Sequence, residues 1–423
     1  MSGRRQHGAL RVTSDYRLTF VSPRFLFPAD SGGKIRTTQI LRGLRDSVFD
    51  VTLLMPLTER ERIDFAPEID SVCNRLVFWQ PSNRDGLLGN VRRILQLANR
   101  YPVAVAEDKN RDGAATVKKA LDENPDVAVF DFPHSAVLAT QRIESPSVLF
   151  THNIESEIFR RHLEVAASPA MKMIWRSQYR KMSRFEKRTL KRFDTVIAVS
   201  DRDCTFFERQ WDIEQCRSIP TGVDTEFFTY VAPAEEPQVV FCGSMDWMAN
   251  IDAIEFFHDR IWPLIRADVP KARMRVIGRS PPDNLVRRIG SKSADWQFTG
   301  YVDDVRDHVC GAAAFVIPLR VGGGTRIKAF EAMAMGTPVV STTIGVEGLP
   351  IVDGQHYLNA DEPAEFARSI VSLLEDRSRR LRISEAARDF VATEYGFRKA
   401  AQVFEQICLD TVKNRRNDVT KQL

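Results

Sequence analysis

Cysteine is scarce in this chain. Only six of its 423 residues are cysteine (Cys73, Cys204, Cys216, Cys242, Cys310, Cys408), no two closer than twelve positions, and no CxxC or Cys/His cluster occurs. That spacing argues against a structural zinc site and against a disulfide framework, and it predicts reduced thiols. Long apolar runs are missing too: no stretch approaches the roughly 18 residues needed to span a bilayer. The opening MSGRRQHGALRVTSDYR is polar and basic and lacks the apolar centre of a signal peptide. A cytoplasmic protein is expected, soluble or held peripherally at the inner face of a membrane. Charge of one sign is not in excess either, since 60 Lys and Arg face 56 Asp and Glu for a net charge of +4. Nothing in that balance points to nucleic acid.

Two familiar phosphate signatures are absent. No GxxxxGK[ST] loop occurs, and the first strand is followed by SPRFLFPADSGGKIR rather than GxGxxG. An ordinary P-loop ATPase and a classical dinucleotide dehydrogenase are therefore excluded.

What is present is globular in composition, 43% hydrophobic and 27% charged, and too long for one ordinary core. From Arg17 onward short apolar runs alternate with amphipathic segments. RLTFVS, DVTLLMP, DVAVFDF, SVLFTHN and DTVIAVS read as strands, and helical patterns lie between them. This βαβ rhythm predicts a parallel sheet. It breaks at VDTEFFTYVAPAEEPQ and restarts with VVFCGS, RMRVIG, WQFTGY, AAFVIP, TPVVST and HYLNA. The expected organisation is an α/β chain of two Rossmann-like, doubly wound parallel-sheet domains facing across a cleft. Residues 15–215 form the first, 216–236 a linker and 237–395 the second. A closing helix, about Ser384 to Asp410, is expected to return over 396–412 toward the first domain, with a polar, frayed tail at 413–423. In such sheets ligands gather at the carboxyl ends of the strands.

The stretch PLRVGGGTRIKAFEAMAMGTPVVST, Pro318 to Thr342, carries the clearest chemistry. Gly322, Gly323 and Gly324 turn a buried strand into a helix expected from about Thr325 to Met335. Glycines admit close backbone approach, and a helix start offers free N–H groups and a positive dipole end. Arg326 in the first turn opposes that dipole unless an anion arrives. Lys328 and Glu331 are three apart on one helix face. The pattern is built for phosphate.

With DSGGKIR, THNIES, FEKRTLKRFDTVIAVSDRD, IPTGVDTEFF, VVFCGSMDWMANIDAIEFF, RVIG, FTGYVDDVRDH and FVIPL in the same order, this segment resembles the family 4 glycosyltransferases, retaining enzymes of the GT-B fold. The likeness runs from about Leu18 to Tyr395. It implies transfer of a sugar from a nucleotide-diphosphate sugar, UDP or GDP, to a hydroxyl of a glycan or lipid-linked acceptor, with no cofactor and no metal. No DxD-type metal pair stands in donor-site context, and the DRD at Asp201 matches a different family segment.

Residue by residue, the resemblance implies that Glu331 holds the ribose hydroxyls, and a carboxylate accepts well from a vicinal diol. Gly322, Gly323, Gly324 and Thr325 would present backbone N–H groups to the diphosphate or sugar. Arg326 and Lys328 would neutralise the leaving diphosphate, because GSMDWMANIDA lacks the basic residues the family usually carries there. Gly323 stands where the family often has a second glutamate, which puts the handling of sugar hydroxyls in doubt. Gly243, Ser244, Gly278, Tyr301 and Val302 would line the nucleotide site. In the first domain Gly32, Gly33 and Arg36 would approach the phosphates and acceptor. His152 would lie near the transferred sugar, and Glu155 is read as a helix-start charge. The basic stretch 171–193 suits either a sheet-packed helix with a solvated face or a peripheral membrane contact. Two rivals share the nucleotide-sugar site: an epimerase of the same fold and a catalytically silent binding partner.

Overall fold

The computed structural model describes residues 15–29, 31–45, 47–82, 96–165, 168–220, 222–245, 247–290, 294–321 and 327–422. The chain divides into two units, one of residues 1–220 with 400–423, the other of residues 221–399.

The first unit holds a parallel sheet of seven strands in the order β3-β2-β1-β4-β5-β6-β7. These are β1 (Tyr16–Val21), β2 (Phe49–Pro56), β3 (Arg75–Trp79), β4 (Val127–Asp131), β5 (Ser147–Phe150), β6 (Thr195–Ala198) and β7 (Cys216–Ser218). The central strands read as continuous apolar runs because helices cover both faces. Leu18, Phe20, Val129 and Phe150 enter one core, and Val21, Phe130 and Leu149 enter the other. That alternation is the two-residue period of a strand. Ala400, Phe404 and Cys408 of the last helix fill the first of these cores.

The second unit repeats the design with a six-stranded parallel sheet, order β10-β9-β8-β11-β12-β13. Its strands are β8 (Gln238–Cys242), β9 (Arg273–Ile277), β10 (Trp296–Gly300), β11 (Ala314–Ile317), β12 (Val339–Ser341) and β13 (Leu358–Asn359). Val239 and Phe241 face one core and Val240 the other. The winding direction reverses between β1 and β4 in one sheet and between β8 and β11 in the other. Those switch points are where open α/β sheets leave a crevice at their carboxyl edges.

Four expectations need correction. The chain is not one closing helix from Ser384 but two, Arg377–Glu394 and Phe397–Gln422. Val223 N donates to Tyr395 O (2.8 Å) and Phe397 N donates to Val223 O (2.9 Å), so the peptides around Gly396 bond sideways rather than along a helix. The second helix continues to Gln422, through residues whose composition alone reads as a frayed tail. Cys216–Ser218, assigned by composition to the linker, are the edge strand β7. The thiols are not all reduced: the Asp201–Trp211 helix packs back on β7, and Cys204 and Cys216, with Cα atoms 5.5 Å apart, form a disulfide.

Candidate active site

At the carboxyl edge of the second sheet, the Ile327–Ala334 helix follows β11 and carries both Lys328 and Glu331. Ala329, Phe330, Ala332 and Met333 bury its other face, which fixes the direction of the polar one. Lys328 Nζ donates to Cys242 O at the end of β8 (3.3 Å) and reaches Asn250 Oδ1 (3.5 Å), lying 4.9 Å from the centre of the Phe241 ring. The Glu331 carboxylate makes no hydrogen bond among the described residues, although its backbone O accepts from Met335 N (3.0 Å). Burial pushes its carboxyl up to about 7, against the opposing pull of Lys328. A carboxylate held without a partner beside a cation is an acceptor awaiting donors.

The loops after β8, β9 and β10 meet there. Gly243 N donates to Ile277 O (2.9 Å), and Gly278 N donates to Gly300 O (3.1 Å). A Cβ on Gly278 would lie 1.9 Å from Gly243 O, so only glycine lets these two turns cross. Asn250 is buried and donates through Nδ2 to Ser244 O (2.8 Å), and Arg279 Nε donates to Ser244 Oγ (3.0 Å). Tyr301 stands exposed just past β10, and Val302 packs against the core beneath it. Arg320, at the end of β11, forms a two-point ion pair with Asp252. Gly322, Gly323, Gly324, Thr325 and Arg326 lie outside the described residues. Gly243, Ser244, Gly278, Tyr301, Lys328 and Glu331 thus sit on neighbouring strand ends or on the helix after β11. Asn250, in the first turn of the Met248–Phe256 helix, and Arg279, in the bend after β9, are additions that sequence alone did not single out.

In the first unit, Gly32–Leu44 begins a helix after β1, with no side-chain cap from Ser31. A Cβ on Gly33 would meet Phe132 Cζ at 2.6 Å, whereas nothing lies within 4 Å of that position at Gly32. Phe132, just after β4, has φ 59°, a strained conformation for a bulky residue. Its ring stacks on His152 (4.1 Å between centroids), with Phe150 at 4.3 Å. The imidazole is buried rather than solvent-facing. Its Nε2 sits 2.7 Å from Asp131 Oδ1, Thr37 Oγ1 donates to Asp131 Oδ2 (2.9 Å), and His152 Nδ1 has no partner among the described residues. Burial holds the His152 pKa below its usual range despite Asp131. A neutral ring with Nε2–H on Asp131 follows.

Arg36 is buried in the same neighbourhood. Burial lowers its pKa to about 10, opposed by Asp203 and Asp131, so it stays cationic at neutral pH. The acids of DRD prove local: Asp201 and Asp203 occupy the first turn of a helix whose Ser200 cap accepts from Asp203 N. Glu155 also opens a helix, and its backbone N–H donates to the wholly buried Glu186 (2.8 Å). Ser156 N donates to the second oxygen of Glu186 (2.9 Å). Burial and the nearby Glu155 push Glu186 up to about 8, against those two N–H groups. Among the described residues no group of three His, Cys, Asp or Glu side chains is placed to hold a metal ion, and no helix is long and apolar enough to cross a membrane.

Comparison with known proteins completes the picture. The profile described as Glycosyltransferase Family 4 matches residues 31–227, and that described as Glycosyl transferases group 1 matches residues 236–376. A Klebsiella pneumoniae protein described as an uncharacterized 44.6 kDa protein in the cps region is 20% identical, over 92% of this chain and 99% of its own. The phosphatidyl-myo-inositol mannosyltransferase of Mycolicibacterium smegmatis is 28% identical over 43% of this chain and 48% of that enzyme, so the likeness spans about half its length. Among solved structures, sucrose-phosphate synthase from Thermosynechococcus elongatus superposes with a TM-score of 0.65 at 18% identity, covering 93% of this chain and 98% of that one. The Anabaena HepE protein in complex with UDP and glucose superposes with a TM-score of 0.62 at 14% identity, covering 92% and 98%. Two units of parallel sheet, strand-end glycines, a cation and carboxylate on the helix after β11, and profile matches over both units together lead to one assignment: the chain belongs to the family 4-like glycosyltransferases of the GT-B fold.

Proposed function

We propose that this glycosyltransferase moves a sugar from a UDP- or GDP-sugar to a hydroxyl of a glycan or lipid-linked acceptor, with retention at the anomeric carbon and without calling on a metal. The observation that carries the reading is Lys328, bonded to the end of β8, standing near the buried Glu331, whose carboxylate has no hydrogen-bond partner among the described residues. Glu331 accepts from the two ribose hydroxyls. Lys328, with Arg326, stabilises the diphosphate as the bond from the anomeric carbon to its phosphate oxygen breaks. Backbone N–H groups of Gly322 to Thr325 and of Gly243 and Ser244 add to that stabilisation, and Tyr301 and Val302 flank the base. The acceptor hydroxyl forms the new bond on the face the diphosphate leaves, and its proton passes to the departing phosphate oxygen. The name of the mycobacterial relative, a mannosyltransferase, supports hexosyl transfer, and the UDP in the HepE complex favours a uridine donor. In the first unit the open helix start at Gly32 receives phosphate or acceptor. His152 and Arg36 position that strand end from within, since both are buried.

The test is turnover of labelled UDP- and GDP-hexoses with and without a glycan or polyprenyl acceptor, in EDTA, with the anomer of the product read by NMR. Acceptor-dependent release of UDP or GDP with retention is expected. Donor altered without acceptor would mark an epimerase, and binding without any turnover would mark a silent partner.

A further inference from the structure

Successive residues at one helix start hold separate contacts around the first unit's strand ends. The Asp201–Trp211 helix begins just after β6, capped by Ser200, whose hydroxyl accepts from Asp203 N. Asp201 accepts from Ser218 Oγ of β7. Arg202 pairs with Glu157 (3.5 Å), on the helix that follows His152. The Asp203 carboxylate is within electrostatic reach of the buried Arg36, on the helix after β1. Cys204 then bonds covalently to Cys216 of β7. One turn of helix thereby joins the segments after β1 and β5 to the sheet's edge strand.

The covalent contact is the one that a reaction can open, and folding does not call for it. Phe207 and Trp211 already bury the helix in the core, and β7 pairs with β6 over Cys216–Ser218. One bridge in a chain with cores this large is unlike the dense disulfide frameworks that hold small domains together.

The pair is also the one placed to exchange. Cys204 and Cys216 are half-buried, and β7 is the last strand of its sheet, so a small thiol can reach them. Arg217 Nη1 donates to Cys216 O (3.1 Å), which sets a cation beside this cysteine and favours its departure as a thiolate. The other cysteines are held differently. Burial pushes the thiols of Cys73, Cys242, Cys310 and Cys408 up and keeps them protonated. Thiolates rather than thiols take part in exchange, so the chemistry is directed to Cys204 and Cys216.

We propose that Cys204 and Cys216 are a reversible redox site, opened by dithiol reductants and closed by disulfide oxidants, whose state sets how firmly the Asp201–Trp211 helix start holds Arg36 and Glu157. A reductant thiolate attacks Cys204 Sγ and breaks its bond to Cys216 Sγ, which leaves as a thiolate and takes up a proton. The reductant's second thiol gives up its proton and attacks the mixed disulfide, and Cys204 leaves as a thiolate and is protonated in turn. Two electrons and two protons have then passed to the pair, and the reductant ends as its own disulfide. Closing runs the same exchanges backward, with glutathione disulfide accepting the electrons and leaving as two thiols. The bridge spans 12 positions, and a loop of that size restrains local opening by about 100-fold. The exchange does not depend on the proposed glycosyl transfer, and its test reads no turnover.

The experiment is amide hydrogen exchange read by mass spectrometry on the full-length protein, equilibrated with dithiothreitol or with glutathione disulfide, alongside alkylation of the native protein. Reduction should add two alkylated residues, Cys204 and Cys216. Exchange in the Asp201–Trp211 helix and β7 should rise by about 100-fold, and in the Gly32–Leu44 and Glu155–Val165 helices by a smaller factor. Glutathione disulfide should restore slow exchange, and β8 and β9 of the second unit should exchange alike in both states. Cys204→Ser and Cys216→Ser should show the reduced pattern under both conditions, which separates loss of the bridge from other effects of the reductant. A bridge that resists dithiothreitol until the protein is denatured would be structural and would overturn the proposal. So would failure of glutathione disulfide to form the bridge, or reduction that leaves Gly32–Leu44 and Glu155–Val165 unchanged.

Discussion

Nucleotide binding should depend on pH through Glu331. Burial raises this carboxyl to about 7, while the adjacent Lys328 pulls it down. Ribose hydroxyls donating to the carboxylate favour its charged form, so binding lowers the pKa further and releases a proton. The sign is therefore fixed: affinity falls as pH drops below about 7 and levels off above it. With a free-state value of about 7, the dissociation constant carries a factor of about 11 at pH 6 and about 1.1 at pH 8, a tenfold difference or about 1.4 kcal/mol. Protonation of the nucleotide's own phosphate adds to this, so the quantity to read is the difference between the native protein and Glu331→Gln. Titration calorimetry of UDP and GDP at both pH values, in buffers of different ionisation heat, measures affinity and proton release together. The native protein should show the extra tenfold and release a proton at pH 6, and Glu331→Gln should show neither. Because a carboxyl raised in the folded state costs stability once ionised, Glu331→Gln should melt no lower than the native protein at pH 8. An identical pH dependence in the two proteins would refute the reasoning.

Three other outcomes follow from the geometry. Lys328→Met removes the cation beside Cys242 O and should lower kcat/KM by about 10²–10³-fold, the usual cost of losing one group that meets developing charge. Gly278→Ala drives a Cβ into Gly243 O and should cost about 1–3 kcal/mol or more in urea unfolding, whereas Gly243→Ala meets only the end of the Asn250 side chain and should cost less. Glu186 is held at about 8 in the fold against an ordinary 4.5, so its ionisation costs stability progressively between those values. Relative to Glu186→Gln, the native protein should lose stability from pH 5 to pH 8 in urea titrations, and a flat difference would contradict the assignment.

Much of this architecture was legible because central parallel strands are buried on both faces and read as unbroken apolar runs. The two strands that escaped notice, β3 and β7, are the two edges of the first sheet. An edge strand is covered less, and Arg75–Trp79 and Cys216–Ser218 accordingly carry exposed or half-exposed residues. The Cys204–Cys216 disulfide escaped for a related reason: spacing alone does not say that the Asp201–Trp211 helix folds back on β7. At the site, Lys328 and Glu331 were readable because three positions on a helix mean one face. Arg279 was not, since its partner Ser244 lies 35 residues away, and Asn250 was not, since its burial and its bond back to Ser244 O depend on how the loop after β8 folds onto the helix that follows it. His152 was placed correctly along the chain, but its burial between two phenylalanines and its bond to Asp131 are contacts between β4 and β5 that no local pattern encodes.

The most direct test is thermal melting of the native protein and Glu331→Ala with UDP, GDP, ADP and NAD. A nucleotide at about 100 times its dissociation constant adds about 2.7 kcal/mol of stability. UDP or GDP should raise the melting temperature of the native protein, ADP and NAD should not, and Glu331→Ala should lose the response. Stabilisation by none of them, or an unchanged response in Glu331→Ala, would contradict a nucleotide-sugar site on the helix after β11.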